Sequence, residues 1–261
     1  MLVYYIKMPF KRKYRKKRKT TKKKPKRTPQ TYSINRSINT GFPESALVKF
    51  RSKQMLEVNP GANAAVGGFE VNMNNPLDPI GTLLTGTSAT HAETHPLYWN
   101  TYESVYQAFR VVSAKITVTW LNNNLSQASV FGIVPLKDGD GRIATAQFAG
   151  LHYGDYAKKF GGPQRYVTAG SGSNAKKVVL SNAQNIQRLQ GVTKDQLDET
   201  YEGTTVLHSS GQTSPALTPR WFVYMHALVS TIDLNTATCI VDIEYVTRFY
   251  GLNTEVVAPA V

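Results

Sequence analysis

Two stretches of the chain alternate apolar and polar residues with a period of two. From Arg110 to Leu121, Val112, Ala114, Ile116, Val118 and Trp120 share one parity, against Ser113, Lys115, Thr117 and Thr119 on the other. From Thr238 to Tyr250, Cys239, Val241, Ile243, Tyr245 and Phe249 oppose Asp242, Glu244 and Arg248. Successive side chains of a strand point to opposite faces, so each pattern predicts a strand with one buried face. Ala46 to Val58 repeats the pattern, with Val48, Phe50, Leu56 and Val58 against Lys49, Arg51, Lys53 and Glu57. Val130 to Leu136 predicts a further strand, and Arg220 to Ser230, apolar on both parities, predicts a strand covered on both faces. Arg165 to Thr168 and Lys177 to Leu180 are shorter strand candidates.

Helical spacing is clearest at Tyr98, Tyr102 and Tyr106, which recur every four residues with Phe109 completing the stripe, while Asn100 and Glu103 have the spacing of a capping box. Ile143 to Tyr156 and Thr193 to Leu197 are weaker helical candidates. Asn59 to Ala92, rich in Gly, Asn, Pro and Thr, predicts a long surface loop, and Asn122 to Ser126, Asp138 to Gly141 and Ala169 to Ser173 predict turns or loops. Six or seven strands with little helix make an all-β sandwich or barrel.

Charge divides this chain into two parts. Lys11, Arg12, Lys13, Arg15, Lys16, Lys17, Arg18, Lys19, Lys22, Lys23, Lys24, Lys26 and Arg27 form an almost unbroken basic block, and no acid precedes Glu44. Residues 1–43 carry +15 of a formal net charge of +14, which leaves −1 on 44–261. A segment this charged buries too little apolar surface to offset its ordering entropy, so 1–43 is expected to be a disordered arm and connector before a folded domain over 44–261. Pro9, Pro25 and Pro29 further discourage a helix. Each phosphate that such an arm neutralises releases condensed counterions, whatever the base sequence, so the block predicts nucleic-acid binding. Its two clusters, split by Thr20 and Thr21, also read as a nuclear import signal; the plain alternative is a solvated charge run.

Other chemistry is sparse. The one cysteine, Cys239, excludes an internal disulfide, and its place among aliphatic residues predicts a small buried hydrophobe. His91 and His95 have metal-pair spacing, but Pro96 disfavours a helix there and no third ligand is near. Asp138 and Asp140 begin like a calcium loop, yet Arg142 stands where an oxygen ligand is needed. No glycine cluster matches a phosphate-cradling motif. No metal, cofactor or catalytic site is therefore expected, nor membrane insertion, since no apolar run approaches about 20 residues. Leu2 to Ile6 is too short for a signal-peptide core, Met8 is an alternative initiator, and Asn35 and Asn124 lie in glycosylation-like triplets without a secretory context.

The basic terminus, the aromatic segment running into a strand (YESVYQAFRVVSAKITVTW), the strand after a proline-rich turn (PRWFVYMHALV) and the closing strand (IVDIEYVTRFYG) together resemble one family. They are similar to the capsid proteins of circovirus-like, Rep-encoding viruses with circular single-stranded DNA genomes. The resemblance implies an eight-stranded antiparallel jelly-roll sandwich with long loops, one or two of its strands hidden in the middle of the chain. It also implies an icosahedral homo-oligomer of 60 copies, a packaged single-stranded DNA genome, host nuclear import receptors, an unidentified attachment receptor, and residence in the virion and the host nucleus. Sixty arms would present roughly nine hundred positive charges to the genome. Apolar residues in Pro76 to Leu84 and Ser214 to Leu217 are expected at subunit contacts. The competing reading is a cellular nucleic-acid-binding structural protein of ribosomal or chromatin type, against which stands a near-neutral body with no second basic face. A jelly-roll enzyme or lectin lacks the metal triad or aromatic sugar site it would need.

Overall fold

The computed structural model describes residues 43–59, 66–83, 87–91, 96–121, 129–137, 161–167, 177–192, 202–204, 214–227 and 236–252. All belong to the unit Asn35–Val261. They form eleven strands and two short helices: β1 Ser45–Val58, β2 Val66–Asn72, β3 Ile80–Leu83, β4 Thr87–His91, α1 Trp99–Glu103, β5 Tyr106–Leu121, β6 Ser129–Leu136, β7 Gln164–Val167, β8 Lys177–Asn185, α2 Ile186–Gln190, β9 Glu202–Thr204, β10 Arg220–Ala227 and β11 Ala237–Leu252.

One sheet runs β4-β1-β11-β5-β8, with β9 also on β5, and the other runs β3-β2-β10-β6-β7. Every pairing is antiparallel. With β3, β4 and β9 set aside, the first of eight strands pairs with the last (β1 with β11) and the second with the seventh (β2 with β10). The third pairs with the sixth (β5 with β8) and the fourth with the fifth (β6 with β7). That is one long hairpin rolled into two layers, which defines a jelly roll.

The core lies between the layers. Leu56 and Val58 of β1, Ile116, Val118 and Trp120 of β5, and Cys239, Val241 and Ile243 of β11 face Phe69 and Val71 of β2, Ile133 of β6 and Trp221 and Val223 of β10. Among the described residues three hydrogen bonds tie layer to layer: the Tyr245 hydroxyl donates to the Asn72 carbonyl at 2.9 Å, the Trp221 indole N–H to Asn182 Oδ1 at 3.0 Å, and the Thr87 hydroxyl to the Gly68 carbonyl at 3.1 Å. At one end an aromatic cluster gathers around Phe249. Its ring stacks on Tyr102 at 5.3 Å and lies 5.2 Å from Trp99 and 5.8 Å from Phe50. Beside it the Tyr106 hydroxyl donates to the Pro43 carbonyl at 3.0 Å, tethering the point where the connector enters β1. The second sheet is buried on its other face too, through Val130, Val134, Leu136, Phe222 and Tyr224. This two-sided burial is the reason β6 and β10 show no alternation.

Several sequence expectations need correction. Asn59 to Ala92 is not one surface loop, for it contains β2, β3 and β4; the strand missing from the count was β2, not a segment in the middle of the chain. Gly67 and Gly68 hide its alternation. A Cβ on Gly68 would meet the Val223 carbonyl oxygen at 2.3 Å, so glycine lets β10 approach. The following turn is stapled inward: the amides of Asn74 and Asn75 donate to the Leu217 carbonyl at 2.7 Å and Ser214 Oγ at 3.1 Å. Leu77, Ile80 and Leu217 consequently pack, half-buried, on the core, while Leu83 of the same segment stays exposed.

The tyrosine stripe does not form one helix. α1 ends at Glu103, while Tyr106 and Phe109 lie on β5. No side chain caps α1: its N-cap is Tyr98, in the left-handed region at φ 65°, with its ring exposed, and Trp99 is the residue driven into the core. On β5, Val111 pairs with Thr247 and Ser113 with Val246, which leaves Val112 as a bulge. The buried parity changes there, from Phe109 and Val111 to Ala114, Ile116, Val118 and Trp120, and Val112 is only half-buried. β8 runs on to Asn185, whose side chain accepts the Arg188 N–H at 3.0 Å, and Gly191, left-handed at φ 71°, closes α2. The expected elements at Ile143 to Tyr156 and Thr193 to Leu197, and the turns at Asn122 to Ser126, Asp138 to Gly141 and Ala169 to Ser173, lie outside the described residues.

Candidate functional site

The thirteen basic residues from Lys11 to Arg27 lie outside the described residues, as do His95, Asp138 and Asp140. His91 closes strand β4 opposite Met55, so it does not sit on a helix as half of an i, i+4 pair. Among the described residues no group of three His, Cys, Asp or Glu is placed to hold a metal ion, and no helix is long and apolar enough to cross a membrane. Cys239 is fully buried, and that burial pushes its thiol pKa well up.

What the fold does assemble is a charged face on the solvent side of the β1 sheet. Alternation sends Lys49, Arg51 and Lys53 outward from β1, and the register sets Arg51 beside Glu244 of β11 and Glu244 beside Lys115 of β5. Glu244 receives both Lys49 Nζ and Arg51 at 2.6 Å. The hydrogen bond from Lys49, then that from Arg51, holds its carboxyl below the ordinary glutamate range despite partial burial. Such exposed pairs add little stability, but they spend the carboxylate on two cations.

Beside this network runs an open groove of about 810 Å³. Among the described residues, Lys49, Lys115, Lys137 and Arg188 line it against Glu244, a net formal charge of +3, and Ser113, Gln184 and Asn185 add neutral polar groups. Lys115, Lys137 and Arg188 form no ion pair with a described residue. A neighbouring depression of about 440 Å³ is balanced, with Arg51 and Lys53 against Asp242 and Glu244. The near-neutral body therefore does gather basic side chains at one groove, which its total charge did not suggest. A signal existed in the outward parity of Lys49 and Lys115. Their meeting depends on β11 lying between β1 and β5, which alternation cannot reveal.

No family model matches the chain, and no curated protein matches it. Among solved structures it is similar to the 60-mer BFDV capsid protein, at 12% identity and TM-score 0.41 over 84% of this chain and all of that one. It is also similar to the decameric BFDV capsid protein (13%, TM-score 0.40, 78% of this chain and 99% of that one). A third is Mud crab tombus-like virus (11%, TM-score 0.41, 88% of this chain and 89% of that one). The jelly-roll assignment itself rests on the strand order.

Proposed function

We propose that this chain is the shell protein of a small icosahedral virus, and that it packages single-stranded DNA through its basic arm. The observation that carries the reading is the segregation of charge: +15 on residues 1–43 and −1 on the rest of the chain. A jelly-roll body with both sheets closed over cores supplies the rigid unit that a shell needs, and the sequence resemblance to circovirus-like capsid proteins agrees with it. In this reading Lys11 to Arg27 neutralise phosphates without reading bases, and the same residues serve as the nuclear localisation signal. Arms of like charge repel when brought into one lumen, so closure of the shell requires a polyanion. The chain has no catalytic role in this account.

Electron microscopy and light scattering of the full-length protein at moderate salt, with and without single-stranded DNA, test it. Closed particles that form far more readily with DNA are expected. Monomers under both conditions would overturn the shell reading. A fluorescent protein fused to Lys7 to Arg27 should collect in nuclei, and a diffuse signal would remove that role.

A further inference from the structure

We infer that the groove bounded by Lys49, Lys115, Lys137 and Arg188 is a second binding site, on the body, for the phosphodiester backbone of single-stranded nucleic acid. This rests on the reading that the protein holds nucleic acid, and it adds a fixed contact to the arm.

Several observations converge. The groove gathers four cations against one carboxylate, and that carboxylate is already engaged by Lys49 and Arg51 at 2.6 Å. Lys115, Lys137 and Arg188 therefore present positive charge with no carboxylate partner among the described residues. They come from β5, from the residue after β6 and from α2, so like charges are held together by the fold at a cost in repulsion, as expected where an anion is to be received. Asn185 caps α2 and so positions Arg188 at the groove wall. Among the described residues the lining carries no exposed aromatic platform for base stacking and no acid beyond Glu244, which favours backbone over bases. Lys49 also lies four residues beyond the start of β1, about 13 Å along the strand.

The test uses the full chain and a short oligothymidylate carrying photoreactive iodouracil. Replacing Lys115, Lys137 and Arg188 together by Gln should make the slope of log Kobs against log salt shallower by about 2, roughly a hundredfold in affinity between 1 M and 0.1 M salt. Lys115→Arg with Arg188→Lys should restore it. Glu244→Gln, which frees Lys49 and Arg51, should steepen the slope, an outcome that misfolding does not produce. Cross-links should map to peptides containing Lys115 or Arg188 as well as to the arm. Cross-links confined to the arm, with an unchanged slope in the triple variant, would overturn the groove while leaving packaging by the arm intact. If binding is insensitive to salt in every variant, and also survives replacement of the thirteen arm cations, both readings fall.

Discussion

Replacing Phe249 by Ala should be among the most damaging single changes available in the body. The ring is fully buried and contacts Trp99, Tyr102, Phe50 and Tyr106 at centroid distances of 5.2 to 5.9 Å. Deleting a buried phenyl group costs about 3–5 kcal/mol in lost transfer energy and residual cavity. Lost aromatic pairing pushes the value toward the upper half of that range. Taking about 4 kcal/mol and a urea slope of about 3 kcal/mol/M for a domain of this size, the unfolding midpoint should fall by about 1.3 M. Trp99 lies in the same cluster, so tryptophan fluorescence during a urea titration of the full chain reports it. Phe249→Leu keeps most of the volume and should shift the midpoint by less than half as much. The cluster also fixes the point where the connector enters β1, so limited proteolysis near Pro43 should accelerate in the Ala variant. A midpoint shift below about 0.3 M, or about 1 kcal/mol, would refute the claim that this end of the body is held by one aromatic hub.

Cys239 should resist alkylation in the native protein and react fully after denaturation, because a buried thiol whose pKa is raised by desolvation forms almost no thiolate at neutral pH; rapid native-state labelling in a mass-spectrometric time course would show the site to be open. Glu244 has a depressed folded pKa, so its contribution to stability is present above its ordinary pKa of about 4.3 and is lost as pH falls through the folded value. The difference in urea midpoint between wild type and Glu244→Gln should therefore shrink from pH 6 toward pH 3, and a difference that grows on acidification would reverse the argument.

Much of the fold is legible in single stretches, because the face a side chain takes in a strand is decided by its immediate neighbours. The alternation of Cys239 to Phe249 and of Ala114 to Trp120, the two-sided burial of β10, and the inert setting of Cys239 all follow from local pattern. The separation of a polycation from a near-neutral body is likewise a property of sequence alone. Other features required the partners to be in place. β2 escaped because Gly67 and Gly68 carry no side chain to alternate, and the need for glycine arises only when β10 lies against it. The bulge at Val112 exists only relative to Val246 and Thr247, and it redirects every residue before it. Tyr98 to Phe109 satisfied a helical spacing, but burial of Trp99 and pairing of Tyr106 with Leu252 won over that local preference. The basic groove depends most on tertiary structure. Lys49, Lys115, Lys137 and Arg188 are far apart in the chain, and they line one groove because β11 inserts between β1 and β5, α2 follows β8, and Lys137 follows β6 of the other sheet. Strand order is chosen by burial of both layers at once, a long-range condition that no local alternation encodes.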